Sequence, residues 1–222
     1  MTANFKVTWL GRIAFADALA RQEEILRHKR AHPELPDELL LLEHDPVYTI
    51  GRTPDQSSLR GANHLPHPLF EINRGGQGTY HGPGQLVGYF LLDLRRYGQD
   101  LHRYLRWIEA LLIELIAGHG IEATTREGLT GVWVEDRKIA SIGVGVRHWI
   151  TMHGFAVNIG GDLSPFDQIT PCGIANVKMT SLARETGVNL EVETLAREAA
   201  TLATESLGKL QSHSSTLASL AV

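Results

Sequence analysis

The chain has 222 residues, 43% of them apolar and 21% charged, with a formal net charge of −4. That length holds one well-buried core without requiring two domains, and the charge gives no global attraction to nucleic acid, so an acidic partner must meet a local basic patch. No run approaches the roughly 18 to 20 consecutive apolar residues that cross a bilayer, and Asp17, Glu23 and Glu24 near the N-terminus suit neither a secretory signal nor an acid-poor transit peptide. A cytoplasmic protein with no membrane and no nucleic-acid partner is expected.

In chain order, Phe15, Ala18, Leu19 and Leu26 keep to one helical face. Apolar runs at 38–43, 47–50 and 86–94 read as strands. Leu101, Leu105, Ile108, Leu112 and Leu115 form a cleaner helical stripe, with Asp100 as its N-cap. Residues 131–147 read as a hairpin turning at Asp136–Arg137, with Ala140, Ile142, Val144 and Val146 alternating along its second arm. Residues 150–159 read as a strand with Thr151, His153, Phe155 and Val157 on one side. Val192, Leu195, Ala199 and Leu202 make a third helical stripe. Strands and helices do not alternate as βαβ units, so the expected class is α+β, a mixed sheet flanked by helices. One domain is expected over 1–208, followed by a Ser-rich flexible tail over 209–222.

The most unusual local composition is Arg74-Gly75-Gly76-Gln77-Gly78-Thr79-Tyr80-His81-Gly82-Pro83-Gly84-Gln85. Its glycines permit positive φ and close backbone approach to a ligand. A tight connecting loop would also be glycine-rich, but it gives no reason for the interleaved Arg, Gln, Tyr and His. No Gly-Lys-Ser/Thr follows, and the spacing is not G-x-G-x-x-G, so a nucleotide ligand is disfavoured.

Cys172 is the single cysteine, which excludes an internal disulfide and fits a reducing compartment. It is either a small buried hydrophobe or a reactive group. Pro171 and Gly173 flank it, placing the thiol on an irregular turn, the exposed setting a nucleophile requires. Lys138 follows a hairpin turn, where lysines are usually solvated; one that pointed inward would be desolvated and carry a mobile proton. The histidines lack metal-site spacing. His28 and His32 sit on a basic helical face with Arg27, Lys29 and Arg30, while His64 and His67 lie in a Pro-rich loop. No metal and no cofactor are expected. His81 and His153 each adjoin a glycine and are candidates to orient a ligand; satisfied core histidines would look the same.

Four ordered segments, Arg74 to Gln85, Arg137-Lys138-Ile139-Ala140-Ser141-Ile142-Gly143, His153-Gly154-Phe155-Ala156-Val157-Asn158 and Pro171-Cys172-Gly173-Ile174, resemble the lipoyl(octanoyl) transferases. The likeness begins by Leu42-Glu43-His44 and runs to Thr180-Ser181-Leu182. It implies the fold of biotin and lipoate protein ligase catalytic domains. It also implies transfer of an octanoyl group from octanoyl-acyl carrier protein, through a Cys172 thioester, to a lysine of lipoyl domains in 2-oxoacid dehydrogenases and the glycine cleavage H protein. Lys138 completes a Cys–Lys dyad. Acyl-pocket positions carry over as Arg74, Gly75, Gly76, Gln77, Gly78, Thr79, Tyr80 and His81, then Ser141, Ile142 and Gly143, then Gly154, Phe155 and Ala156. An ATP-dependent lipoate or octanoate ligase of the same fold, and a non-catalytic module that docks lipoyl domains, are the alternatives. A binding module has no use for both Cys172 and Lys138. Both partners of a transferase are acidic domains, so Arg52, Arg137 and Arg147 are candidate contacts.

Overall fold

The computed structural model describes residues 5–52, 57–59, 65–174 and 177–212. Strand β1 (Phe5–Ile13), helix α1 (Phe15–Ala31) and strands β2 (Asp37–His44), β3 (Val47–Gly51), β4 (Leu69–Ile72), β5 (Thr79–His81) and β6 (Gln85–Leu91) come first. Helix α2 (Leu101–Ala117) leads to strands β7 (Thr124–Arg126), β8 (Leu129–Val134), β9 (Arg137–Arg147) and β10 (Ile150–Asn158). Strand β11 (Lys178–Met179) and helices α3 (Leu182–Thr186) and α4 (Val192–Ser212) follow.

Among the described residues the main sheet has eight strands in the order β1-β2-β6-β10-β9-β8-β7, with β11 joined to β9. It is mixed: β1–β2 and β9–β11 are parallel and the other pairs antiparallel. The run Leu39–Leu40–Leu41–Leu42 is buried throughout because successive side chains enter opposite layers. Leu39 and Leu41 pack with α2 and α4, beside Phe90, Ile108 and Leu195. Leu40 and Leu42 pack with α1, beside Val87, Tyr89 and Ala18. The expected mixed sheet flanked by helices is therefore the fold. A second sheet, β4-β3-β5, holds the strand that carries Thr79 and His81.

Several local expectations are corrected. The strand over 86–94 ends at Leu91, and a 3-10 turn occupies Leu94–Tyr97. The hairpin turn falls at Glu135–Asp136, with Glu135 at φ +50. The α2 stripe is right and Asp100 caps it, accepting from the Arg103 amide at 3.0 Å. His153 does not share a side with Phe155 and Val157. Its φ of +60 breaks the alternation, its ring meets Tyr89 edge-on, and its amide donates to Gln22 Oε1 on α1. The tail expected from position 209 is helical through Ser212, with Leu210 buried; 213–222 lie outside the described residues, as does His64.

Lys29, placed on a solvated face with His28, is instead buried. It donates to Asp37 Oδ1 at 2.8 Å, and Asp37 also accepts from the Asp93 amide and the Tyr97 hydroxyl and faces Arg96. A buried charge persists only where partners satisfy it. Asp37→Ala leaves that lysine with the Pro36 carbonyl but no counter-ion and is expected to cost about 3 to 5 kcal/mol, measured as a lowered urea midpoint at unchanged slope. An unchanged midpoint would show that the network contributes nothing.

Candidate active site

Three peptide segments converge on the sulfur of Cys172. Pro171–Gly173 forms a 3-10 turn in which Cys172 adopts φ +56, ψ +17, a left-handed conformation that is strained for a residue with a Cβ. Backbone contacts hold it there: the Cys172 amide donates to Gly78 O at 2.8 Å and the Thr170 amide to Ser58 O at 2.7 Å. Gly173 adopts φ +70, the left-handed region that favours glycine, and packs against the Gln77 side-chain amide, which a Cβ would displace. The cysteine turn and the glycine-rich segment are thus built as one unit.

Strand β9 brings Lys138. It points inward, only 1% exposed, against the habit of lysines beside hairpin turns. Its Nζ lies 3.3 Å from Cys172 Sγ, donates to Thr130 O at 3.0 Å and stands 5.3 Å from the centre of the Trp133 ring. Ser141 Oγ is 3.9 Å from the same sulfur. At Arg137–Lys138 the edge of β9 is taken over by β11, and the Thr180 amide donates to Lys138 O at 3.0 Å. The lysine is therefore held at its backbone and at its amine.

Cys172 and Lys138 border a cavity of about 370 Å³. Residues 74–77, Thr79, His81, 141–143 and 154–156 line it. Gly78 and Tyr80 lie off its wall. Gly78 serves through its carbonyl, and Tyr80 packs with Tyr48 and Phe166 in a small separate core. Leu101 and Leu105, the first two members of the α2 stripe, line the cavity rather than the core. Sequence reasoning missed this, and it missed Phe15, Ile72 and Tyr89 on the opposite side. It also missed Thr130, Gly131 and Trp133 around the amine. A glycine inside β8, between Leu129-Thr130 and Val132-Trp133-Val134, was the available signal, since a glycine within a strand marks close backbone approach.

Arg74 threads back through its own loop. Its guanidinium donates to Thr49 O, Thr49 Oγ1, Gln77 O and Gly75 O, so it shapes the segment with backbone acceptors. Burial lowers its pKa, and the Cys172 sulfur pulls the other way. The Gly75 amide donates to Val144 O and the Gly78 amide to Ser58 Oγ; neither faces the cavity as a spare donor. Arg137, a candidate partner contact, is engaged by Glu185 at 2.9 Å and by Glu135.

His81 and His153 on the cavity wall, and His44 with its ring 5.8 Å from that of His81, are kept neutral by burial. His44 is lowered to about 4. His81 is lowered to about 3 by burial and by His44, and His153 to about 3 by burial and by Arg74. His44 bonds the Tyr89 hydroxyl at 2.7 Å, and His81 bonds Gln85 Oε1 at 2.7 Å. His153 Nε2 has no hydrogen-bond partner.

The lipoyl protein ligase A/B catalytic domain matches residues 14–202. The chain belongs to that family. An octanoyltransferase of Geobacter sulfurreducens is 51% identical over 182 residues, covering 82% of this chain and 76% of its own. An octanoyltransferase of Synechococcus elongatus is 46% identical, covering 80% and 78%. Among solved structures, a bi-partite lipoate protein ligase of Thermoplasma acidophilum superposes with a TM-score of 0.68 at 14% identity, covering 94% of this chain and 84% of that one. A biotin protein ligase of Aquifex aeolicus bound to biotin and ATP gives 0.58 at 13%, covering 93% and 72%. These two likenesses establish the ligase catalytic fold. Among the described residues no helix is long and apolar enough to cross a membrane.

The neutral histidines give a pH prediction. In the unfolded chain they protonate below about 6.5, whereas in the folded protein they stay neutral until about 4 or 3. Across that window the unfolded state binds more protons, so stability falls as pH falls. Each histidine contributes a slope of up to about 1.4 kcal/mol per pH unit. Denaturant midpoints from pH 7 to pH 4 should decline, and less steeply in His81→Gln. An equal slope in that variant would contradict the assignment.

Proposed function

We propose that this protein transfers an octanoyl group to a lysine of a lipoyl domain by way of a thioester on Cys172, with octanoyl-acyl carrier protein as donor. Lipoyl domains of 2-oxoacid dehydrogenases and the glycine cleavage H protein are the acceptors in this reading. The observation that carries it is the 3.3 Å approach of the buried Lys138 amine to Cys172 Sγ at the edge of a cavity whose lining is largely apolar side chains and glycines. The relatives named octanoyltransferase, at about half identity over most of the chain, support the choice of acyl group.

In the first half-reaction the Cys172 thiolate attacks the donor carbonyl. An Sγ–acyl bond forms, the carrier thioester breaks, and the carrier leaves as a thiol by taking a proton from the Lys138 ammonium, which leaves that amine neutral. Lys138, as an ammonium, stabilises negative charge on the sulfur before attack. One thioester replaces another, so this step has little driving force of its own. In the second half-reaction the acceptor amine attacks the Cys172 thioester, an amide forms and the thiol is regenerated. The acceptor arrives protonated, and a neutral Lys138 amine takes its proton. Amide formation makes the sequence downhill. The donor is already activated, so the cycle runs without ATP.

Incubation with octanoyl-carrier alone should leave a hydroxylamine-labile octanoyl adduct on Cys172, read by intact mass, and Cys172→Ala should lose both adduct and turnover. An adduct on another residue, or full turnover in Cys172→Ala, would refute the covalent route. Pyrophosphate release from ATP and free octanoate would replace it with a ligase.

The two roles of Lys138 separate by substitution. Lys138→Arg keeps a cation but cannot act as a base, so it should retain part of the iodoacetamide reactivity of Cys172 while losing transfer to the lipoyl domain in single turnover. Lys138→Ala should lose both. Parent-like alkylation and transfer in Lys138→Ala would dissolve the pair.

A further inference from the structure

We propose that Glu109, on the buried side of α2, is a positioning residue for Lys138. It fixes the backbone at Thr130–Gly131, and that backbone holds the amine against Cys172. The inference rests on the reading of Cys172 and Lys138 as a reacting pair.

The amine of Lys138 has its oxygen acceptor in the Thr130 carbonyl. That carbonyl lies where β8 has left its ladder with β9: the pairing runs Val134–Arg137, Trp133–Lys138 and Val132–Ala140, with an irregularity between Val132 and Trp133. Residues 130 and 131 lie beyond the last of these pairs, and the Gly131 amide goes instead to Glu109 Oε1 at 3.2 Å. Gly131 adopts φ +130, and a Cβ there would stand 2.6 Å from Lys138 Cε and 2.7 Å from Ala140 O. The backbone at Gly131 therefore packs directly on the lysine stem, and a shift of that peptide moves both the stem contact and the Thr130 carbonyl.

Glu109 is 1% exposed, and its neighbours Ile108 and Leu112 are core residues. A carboxylate is costly in such a place unless both oxygens are satisfied. Arg106, itself largely solvent-exposed, satisfies one oxygen; the Gly131 amide satisfies the other. A leucine would pack there at lower cost, so the acid is best explained by the amide it holds.

The test compares Glu109→Gln, Glu109→Leu and Lys138→Ala with the parent, by iodoacetamide alkylation of Cys172 and by single-turnover acylation from octanoyl-carrier. Glutamine keeps an acceptor oxygen for Gly131 and should stay within about threefold of the parent, whereas leucine should slow both reactions about tenfold, the worth of one buried hydrogen bond. The KM for the donor should not change, because Glu109 does not touch the cavity. Parent-like rates in Glu109→Leu beside a slow Lys138→Ala overturn the positioning role alone. A Lys138→Ala protein that alkylates like the parent overturns the pair and the positioning role together. Should Glu109→Leu fail to fold, hydrogen exchange at the Gly131 amide of the parent decides: protection supports the contact, and exchange at the rate of an exposed amide refutes it.

Discussion

A lysine amine buried at the base of a hairpin has to be surrounded by acceptors, and much of the site follows from meeting that requirement at Lys138. Among the described residues the amine meets the Thr130 carbonyl, the Cys172 sulfur and the face of Trp133. For the carbonyl to be there, β8 must be out of the β9 ladder at Thr130 and Gly131. For the stem to lie flat, Gly131 must lack a Cβ. For the sulfur to be there, Cys172 must hold a left-handed turn, and the Gly78 carbonyl must accept its amide. Segments far apart in sequence are thereby tied to the position of one charged nitrogen.

Electrostatics divides the cavity into two zones. Lys138 and Arg74 stand near the sulfur, so positive charge is concentrated where an anionic thiolate would form. The inner wall is kept neutral, because burial opposes protonation of His81 and His153, reinforced at His81 by His44 and at His153 by Arg74. Leu101, Leu105, Ile142 and Phe155 supply apolar surface along the way. An acyl chain suits that division. In the proposed cycle its carbonyl end meets the cations, and its tail meets groups that present polar atoms already paired in part with protein, as in the His81–Gln85 and His44–Tyr89 contacts.

The fold class was legible in the sequence, and so were the segments that meet at Cys172. Helical stripes were legible because α1, α2 and α4 each bury one face, and the Asp100 cap announced the start of α2. The Pro171–Cys172–Gly173 context marked a turn, since neither flanking residue suits a strand or a helix interior. What stayed hidden depends on contacts between distant segments. Lys29 reads as a surface lysine until β2 places Asp37 beside it. Glu109 reads as an ordinary polar position until β8 presents an amide. The reversal at His153 leaves no local mark, because any alternation pattern assumes extended φ at every residue. Two-residue β11 is too short to have a period at all, although it closes the sheet edge beside Lys138.

That short strand also determines which partner must move. Lys138 is bonded at its carbonyl by Thr180 and at its amine by Thr130, and the Cys172 turn is bonded by Gly78. Neither group of the pair can swing far without breaking a buried hydrogen bond, which costs about 1 to 3 kcal/mol for each partner left unsatisfied. In the proposed cycle the acyl thioester and the acceptor amine therefore come to a fixed pair, past Leu101, Leu105 and the β7–β8 turn at the cavity edge. A fixed pair suits a sequence in which the first step exchanges one thioester for another. Such a step offers no driving force to spend on rearranging the protein, so its rate depends on how near the reacting atoms are already held.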